Sequence, residues 1–151
     1  MAEKNVDLVQ LVEYAQAAFD RLPTLGPVAW LYGRDDAKKH LTLADLDWAV
    51  QPPLILDQCR LFMKDKMPLG FISWAYVSED VHQRLLQGNT QLEPHEWKGG
   101  EHLWLIDVVT PFGQREEMLE NLKLIVNQQE SVMFWHQNVI SSLAQFGTND
   151  E

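Results

Sequence analysis

The segment HLWLIDVV, residues 102–109, constrains the fold more than any other part of the chain. Apart from His102 and Asp107 it contains only apolar residues, most of them types that favour β-strands. A strand without a polar face cannot leave one side in water, so it has to be covered on both faces. The segment therefore predicts a central strand with other parts of the chain packed above and below it.

Helical patterns occur on both sides of this strand. Apolar residues at helical spacing predict helices over 6–22 and 114–126. Pro23 and Gly26 are expected to end the first of them, and a second short helix is expected to start near Pro27. Cap and stop residues predict two more helices, one from Thr42 to Pro52-Pro53 and one from Ser78 to Gly88.

Further strands and a last helix complete the pattern. Residues 56–64 and 68–77 predict a β-hairpin that turns at Asp65-Lys66, and residues 131–136 predict a last strand. We expect a helix over 138–146 and a disordered tail over 147–151. The order of elements predicts one α+β (α/β-like) domain over residues 1–151, with a mixed β-sheet flanked by helices.

Composition and charge exclude several classes of protein. The 151-residue chain has 46% hydrophobic and 23% charged residues, as globular domains do, and lacks the roughly 18-residue apolar run of a membrane span. Its net charge of -10 disfavours nucleic acid and anionic membranes as partners. The N-terminus has no hydrophobic signal core, so we expect a cytoplasmic protein. The single cysteine, Cys59, cannot form an internal disulfide and is expected in the core.

Asp107 is the most anomalous residue, because its neighbours in the central strand predict burial. A buried carboxylate needs a partner, or it faces a cleft in which its ionisation serves a function. The sequence leaves both interpretations open.

His40 lies beside Lys38 and Lys39, between a charged segment, Gly33 to Lys39, that we expect to leave the core, and the predicted helix start at Thr42. A histidine there can transfer protons near neutral pH, or it can be an ordinary surface residue.

The other histidines and the tryptophans are expected to be structural. No metal site is predicted, because the other histidines show no metal-ligand spacing: His82, His95, His102 and His136. The six tryptophans lie in separate elements. We expect most of them in the core and one or two along a groove for something apolar.

Several strings of the sequence occur in an order that resembles one family. They are GPVAWLY (26–32) followed by His40, DLDWAVQPPLILDQCRLF (45–62), PLGFISWAYVS (68–78) and W-x-G-G-x-x-L-W-L-I-D-V-V-T-P-F-G (97–113). This series resembles the toxin-activating lysine acyltransferases, the hemolysin-activating enzymes of Gram-negative bacteria, over residues 26–126.

The resemblance implies a GNAT-like acyltransferase fold, a homodimer, and transfer of a fatty acyl group from acyl carrier protein to internal lysines of an RTX protoxin or similar protein. It implies no cofactor beyond this co-substrate. The family's catalytic pair maps onto His40, as the base, and Asp107, as the support of the imidazolium. A covalent acyl-histidine is an alternative. Backbone N–H groups near Trp74 are expected to hold the oxyanion. Acyl-group or donor contacts are implied at Trp30, Ser73, Trp74, Phe112 and Gly113.

Two other functions remain open. A catalytically degenerate relative would act as a binding or chaperone module, which the altered segment before His40 and the acidic charge favour. A GNAT-like acyl-CoA N-acyltransferase would need a Gly-rich pyrophosphate loop, which the sequence lacks. Because acyl carrier proteins are acidic too, the acyltransferase interpretation needs a local basic patch, for which the candidates are Lys38, Lys39, Lys64, Lys66 and Lys98. For an enzyme, His40 and Asp107 should open into one cleft bordered by Trp74; if they lie on opposite faces, the enzyme interpretation fails.

Overall fold

A computed structural model describes residues 2–89, 91–126, 133–136 and 139–142. The helices are α1 (Ala2–Phe19), α2 (Leu22–Tyr32), α3 (Leu46–Ala49), α4 (Gln51–Leu56), α5 (Glu79–Leu86) and α6 (Arg115–Val126), with a 3-10 turn at Pro94–Glu96. The strands are β1 (Cys59–Lys64), β2 (Met67–Val77), β3 (His102–Val109), β4 (Met133–His136) and β5 (Val139–Ser142).

The strands form one sheet in the order β1-β2-β3-β4-β5. β3 pairs antiparallel with β2 and parallel with β4, while β1–β2 and β4–β5 are antiparallel. The predicted central strand is thus confirmed with its bounds, as are the mixed sheet and the α+β class. A GNAT-like fold stays a prediction.

Local sequence explains the turns and helix starts that bracket the sheet. Lys64 pairs with Met67, which leaves Asp65-Lys66 as the predicted hairpin turn. The Ser78 hydroxyl accepts a hydrogen bond from the backbone N–H of Val81 at 3.4 Å and so caps α5 as predicted.

Both faces of the sheet are covered. On one face, Ile72 and Leu105 pack with Met118, Leu119 and Leu122 of α6. On the other face, Phe71 and Val109 pack with α2, α3 and α4 through buried side chains that include Val28, Leu31, Val50 and Leu54. Neighbouring residues of a strand point to opposite faces, so Phe71 and Ile72 define the two sides, which we call the α2 side and the α6 side.

A β-bulge interrupts this alternation in β3. Ser73 pairs with Asp107 but Trp74 pairs with Leu105, so Ile106 is the extra residue. Leu105 packs on the α6 side and Val109 on the α2 side, although strict alternation would place them on one face. The bulge therefore turns the end of β3, including Asp107, toward the α2 side.

Three expectations about helices were wrong in detail. Pro23 and Pro52-Pro53 do not end helices; they lie in the first turns of α2 and α4, where the missing proline N–H costs no hydrogen bond. The predicted last helix is wrong, because residues 139–142 form β5 and pair with β4. Pairing along the sheet edge outweighed local propensity there. The predicted tail 147–151 lies outside the described residues.

The apolar stripe of α1 is exposed. Leu8, Val9, Leu11 and Val12 keep 57–65% of their surface in contact with solvent. The helix contacts α4, and the Tyr14 hydroxyl donates a hydrogen bond to the backbone oxygen of Asp47 at 3.3 Å.

Candidate functional site

The carboxylate of Asp107 is the centre of the candidate site. Asp107 is only 7% exposed. The Tyr32 hydroxyl donates a hydrogen bond to Oδ2 at 2.5 Å, and the Lys38 ammonium donates to Oδ1 at 2.6 Å. The partner that a buried carboxylate needs is therefore a lysine, supported by a phenol.

Tyr32 is fixed by the core. It is the last residue of α2, its side chain is buried, and its ring lies 6.1 Å from that of Phe71 on β2. Burial, and then the neighbouring charge and hydrogen bond of Asp107, raise the pKa of Tyr32 well above its ordinary value. The phenol therefore stays protonated and remains a hydrogen-bond donor at any physiological pH.

Lys38 reaches the site from the segment that was expected to leave the core. The backbone oxygen of Asp35 accepts hydrogen bonds from the N–H groups of Lys38 and Lys39, at 3.0 and 2.8 Å. The Asp35 carboxylate accepts from the N–H of Ala37 at 2.8 Å, which tightens the turn. The Lys38 side chain then returns to β3 and keeps 32% exposure. The segment thus leaves the core as expected, while the Lys38 side chain reaches back to form an ion pair with a buried carboxylate.

His40 directly follows this segment and is exposed. Within the described part of the chain it has no hydrogen bond or ion pair. The structure therefore places Lys38, and not His40, against Asp107. The catalytic roles of His40 and Asp107 stay predictions.

Ser73 lies beside Asp107 across the β2–β3 pair. Directly paired residues of antiparallel strands present their side chains on the same face of the sheet. Ser73 is fully buried, and its hydroxyl has no hydrogen-bond partner among the described residues. It therefore adds an unused polar atom to the α2 side near Asp107.

Trp74 lies on the other face of the sheet, where it packs in the α6 cluster. It does not border the Asp107 carboxylate, and a donor contact at Trp74 stays a prediction. Its backbone N–H donates to the backbone oxygen of Gln58 at 2.9 Å, so that amide is already engaged and is not free to hold an oxyanion.

Gln58 is a buried polar residue that sequence reasoning missed. Its side-chain amide donates hydrogen bonds to the backbone oxygens of Trp74 and Trp97, at 3.1 and 2.9 Å. These bonds tie the loop before β3 to β2. The signal was a polar residue at the edge of an apolar run, the same kind of anomaly that singled out Asp107.

The structure brings Trp30 and Phe112 together. Their ring centroids lie 5.8 Å apart, and the Arg34 guanidinium lies 5.0 Å from the centre of the Trp30 ring. Both rings are exposed, at 38% and 48%. Gly113 follows with φ +94°, a backbone conformation that glycine adopts without strain. The acyl or donor contacts predicted at these three residues stay predictions.

The lysines proposed for a basic patch are not gathered in one place. Lys38 and Lys39 are paired with Asp107 and Asp36. Lys64 pairs with Met67 at one end of β2, while Lys98 bridges to Tyr76 near the other end. The two positions on β2, Met67 and Tyr76, are roughly 30 Å apart at ~3.3 Å per strand residue. The five candidate lysines therefore do not form one basic patch.

Other possible sites offer less chemistry. Burial, and then the charge of Asp57, raise the pKa of the Cys59 thiol to about 11, so it is not a thiolate at neutral pH. Over the described ranges, no group of three or more His, Cys, Asp or Glu side chains is placed to hold a metal ion. None of the helices in those ranges has both the length and the apolarity needed to cross a membrane.

A sequence profile of the RTX toxin acyltransferase family matches residues 17–144. The chain belongs to this family. An RTX-III toxin-activating lysine-acyltransferase of Actinobacillus pleuropneumoniae is 30% identical over 69% of this chain and 60% of its own length. A protein-lysine myristoyltransferase of Kingella kingae is 26% identical over 69% of this chain and 62% of its own.

A third member of the RTX toxin acyltransferase family is also similar. The leukotoxin-activating lysine-acyltransferase of Aggregatibacter actinomycetemcomitans is 30% identical over 66% of this chain and 59% of its own length. The chain thus spans about 60% of the length of these curated relatives. The match includes every residue of the candidate site, from Trp30 to Gly113.

Proposed function

We propose that this chain is a protein-lysine acyltransferase that moves a fatty acyl group from acyl carrier protein to internal lysines of an RTX protoxin or similar protein. The observation that carries the proposal is the family match over residues 17–144. It is supported by the buried carboxylate of Asp107, which the β3 bulge turns toward the α2 side and which is bound to a lysine ammonium.

The chemistry requires a neutral amine. Lysine amines titrate about three units above neutral pH, so few are free to attack without a base. In the proposed reaction His40 takes a proton from the acceptor amine as its nitrogen attacks the thioester carbonyl. A C–N bond forms, the C–S bond breaks, and the thiol of the carrier leaves with a proton. Asp107 orients or electrostatically supports the imidazolium that forms on His40.

The proposal includes the cell compartment and the assembly. Acyl carrier protein is expected in the cytoplasm, so we place the chain there. We infer a homodimer, supported by the exposed apolar stripe of α1, since apolar patches of this kind on soluble proteins mark contact surfaces. A monomeric mass in sedimentation at micromolar concentration would remove the dimer from the proposal.

A second candidate function rests on a specific observation. Asp107 is already bound by Lys38 and Tyr32, and His40 makes no hydrogen bond or ion pair with any described residue. Such an arrangement also fits a catalytically degenerate relative that binds the acyl carrier or the acceptor without transferring the group. No corresponding observation favours an acyl-CoA enzyme.

The experiment that separates the two candidates is an acyl-transfer assay with the full chain. Acyl carrier protein charged with defined fatty acids and a candidate acceptor are incubated with the chain, and acceptor mass is followed by mass spectrometry. A mass gain of one acyl group on lysine, lost in His40→Ala and Asp107→Asn, supports the enzyme. His95→Ala, an exposed histidine outside the site, is the matched control. Binding of charged carrier without any transfer supports the binding module and rejects the enzyme.

A further inference from the structure

The contact between Lys38 and Asp107 has the geometry of a bound alkylammonium ion. The lysine begins on an exposed turn and its ammonium reaches Oδ1 of a carboxylate whose side chain is 10% exposed. Its four-methylene stem therefore runs from the surface into the fold. An incoming lysine side chain would make the same contact with Oδ1.

The neighbouring Lys39 shows that this contact is not a general property of the turn. Its ammonium also meets a carboxylate, that of Asp36, at 3.1 Å. Asp36 is 96% exposed, so water can replace the lysine at little cost. Asp107 cannot be resolvated in that way, because a buried carboxylate without a cation is strongly unfavourable.

The receiving side of the contact is built from fixed groups. Tyr32 holds Oδ2 through its buried hydroxyl, which leaves Oδ1 to face the cation. Ser73, directly opposite Asp107 across the strands, contributes a buried hydroxyl without a partner in the described chain. A carboxylate flanked by hydroxyl groups is a suitable receptor for a primary ammonium, which has three N–H donors.

We propose that Asp107 and Tyr32 form a subsite for the primary ammonium of the acceptor lysine, and that Lys38 occupies it within the same chain. The identity of the ligand as an acceptor lysine rests on the proposed function; the ammonium subsite does not. An acceptor must displace Lys38 before it binds, so Lys38 acts as an intramolecular competitor. The bound ammonium first loses one proton to solvent; the neutral amine then attacks the thioester while His40 takes its second proton and passes it to the leaving thiol.

The first experiment tests the subsite without any catalysis. Lys38→Ala removes the competitor and leaves the carboxylate buried. n-Butylammonium has the same four-carbon stem as lysine, and we expect it to raise the thermal stability of Lys38→Ala in a saturable way. It should bind on the order of tenfold to hundredfold more tightly than n-butanol, which has the stem without the charge.

Matched variants make this test specific. Lys39→Ala should show no response to n-butylammonium, because Asp36 is solvated. Lys38→Ala combined with Asp107→Asn should also show none, because the carboxylate charge is gone. If Lys38→Ala does not fold alone, the same comparison is made on its refolding yield with and without n-butylammonium. An equal response to n-butanol, or an equal response of Lys39→Ala, overturns the subsite.

The second experiment asks whether the acceptor lysine uses the subsite. In the acyl-transfer assay we expect Lys38→Ala to lower KM for the acceptor several-fold, since the competing ammonium is absent, while Lys39→Ala leaves it unchanged. If n-butylammonium stabilises Lys38→Ala but the KM of this variant for the acceptor is unchanged or raised, Lys38 is not a competitor of the acceptor. The proposed acyltransferase function is not affected by that result. An absence of transfer in the unaltered chain rejects the proposed function, whereas the ammonium subsite is judged by the first experiment.

Discussion

Replacement of Tyr32 by Phe tests the hydrogen bond that fixes Asp107. The substitution removes one oxygen and leaves the ring, which is buried against Phe71, in place. No cavity larger than a hydroxyl is created, so packing contributes little to the change. The main loss is the 2.5 Å hydrogen bond from the phenol to Oδ2 of Asp107.

The expected magnitude follows from the charge and burial of the acceptor. Hydrogen bonds to charged groups contribute ~1.5–3 kcal/mol, and water cannot easily replace the phenol around a carboxylate that is 7% exposed. For a chain of this size, each kcal/mol lowers the melting temperature by ~2–4 °C, so a decrease of ~3–12 °C is expected. The pKa of Tyr32 is raised well above its ordinary value, so the phenol stays a hydrogen-bond donor from pH 6 to 9. The loss of stability in Tyr32→Phe should therefore be the same over this pH range.

The assay compares urea unfolding of Tyr32→Phe with that of Tyr14→Phe. The Tyr14 hydroxyl donates to the Asp47 backbone oxygen at 3.3 Å in an exposed position, and its loss should cost less than ~0.5 kcal/mol. A double-mutant cycle of Tyr32→Phe with Asp107→Asn should give a coupling energy of about 1 kcal/mol or more. Equal stabilities of the two tyrosine variants, or no coupling with Asp107, would refute the reasoning.

Three further predictions concern the frame around the site. Gln58→Met keeps the length of the side chain but loses both hydrogen bonds to backbone oxygens. We expect urea unfolding to show a destabilisation of ~1–3 kcal/mol, and a destabilisation below ~0.5 kcal/mol would contradict this role of Gln58. Burial and the charge of His102, whose ring stacks on that of His82, lower the pKa of His82, and its Nδ1 accepts a hydrogen bond from the Trp104 indole N–H. The unfolded chain therefore binds a proton at His82 more readily than the folded protein, so the free energy of unfolding should fall as the pH drops below about 6.5. This decrease should be smaller in His82→Gln. Equal pH dependence in both proteins argues against this. In Gly100→Ala the new Cβ would clash with the backbone oxygen of Val77, so we expect a cost of at least ~1–3 kcal/mol. Gly99→Ala, whose Cβ would lie 3.7 Å from its nearest neighbour, should be tolerated, and similar melting temperatures of the two variants would exclude the clash.

Much of the fold could be predicted because its signals are local. The apolar run 102–109 identified β3, and the turn at Asp65-Lys66 identified the hairpin. Ser78 identified the start of α5 through its side-chain cap. The prediction that prolines end helices was wrong because proline occurs both after the end of a helix and in its first turn, and sequence spacing does not distinguish the two. The predicted last helix was wrong because residues 139–142 pair with β4, and this pairing overrides a weak helical pattern.

The candidate site was predicted only in part. Asp107 was recognised because a carboxylate in an apolar strand is anomalous wherever the strand lies. Its partners were not recognised, since Tyr32 and Lys38 are distant in sequence and carry no pattern that links them to β3. Trp30 and Phe112 were predicted together with Trp74, yet the sheet separates Trp74 from the Asp107 side. Proximity across a sheet is a property of register, which the resemblance did not convey.

By itself, the sequence determined that β3 is buried on both faces and that Asp107 lies within it, because composition alone forbids a solvated face there. The tertiary structure decided which face Asp107 presents. One extra residue, Ile106, opposes no residue of β2, and this bulge turns Asp107 from the α6 side to the α2 side. A side chain in a strand alternates with a period of two, so a single inserted residue exchanges the faces. Whether that insertion is tolerated depends on the pairing with Ser73 and Trp74, which only the assembled sheet supplies.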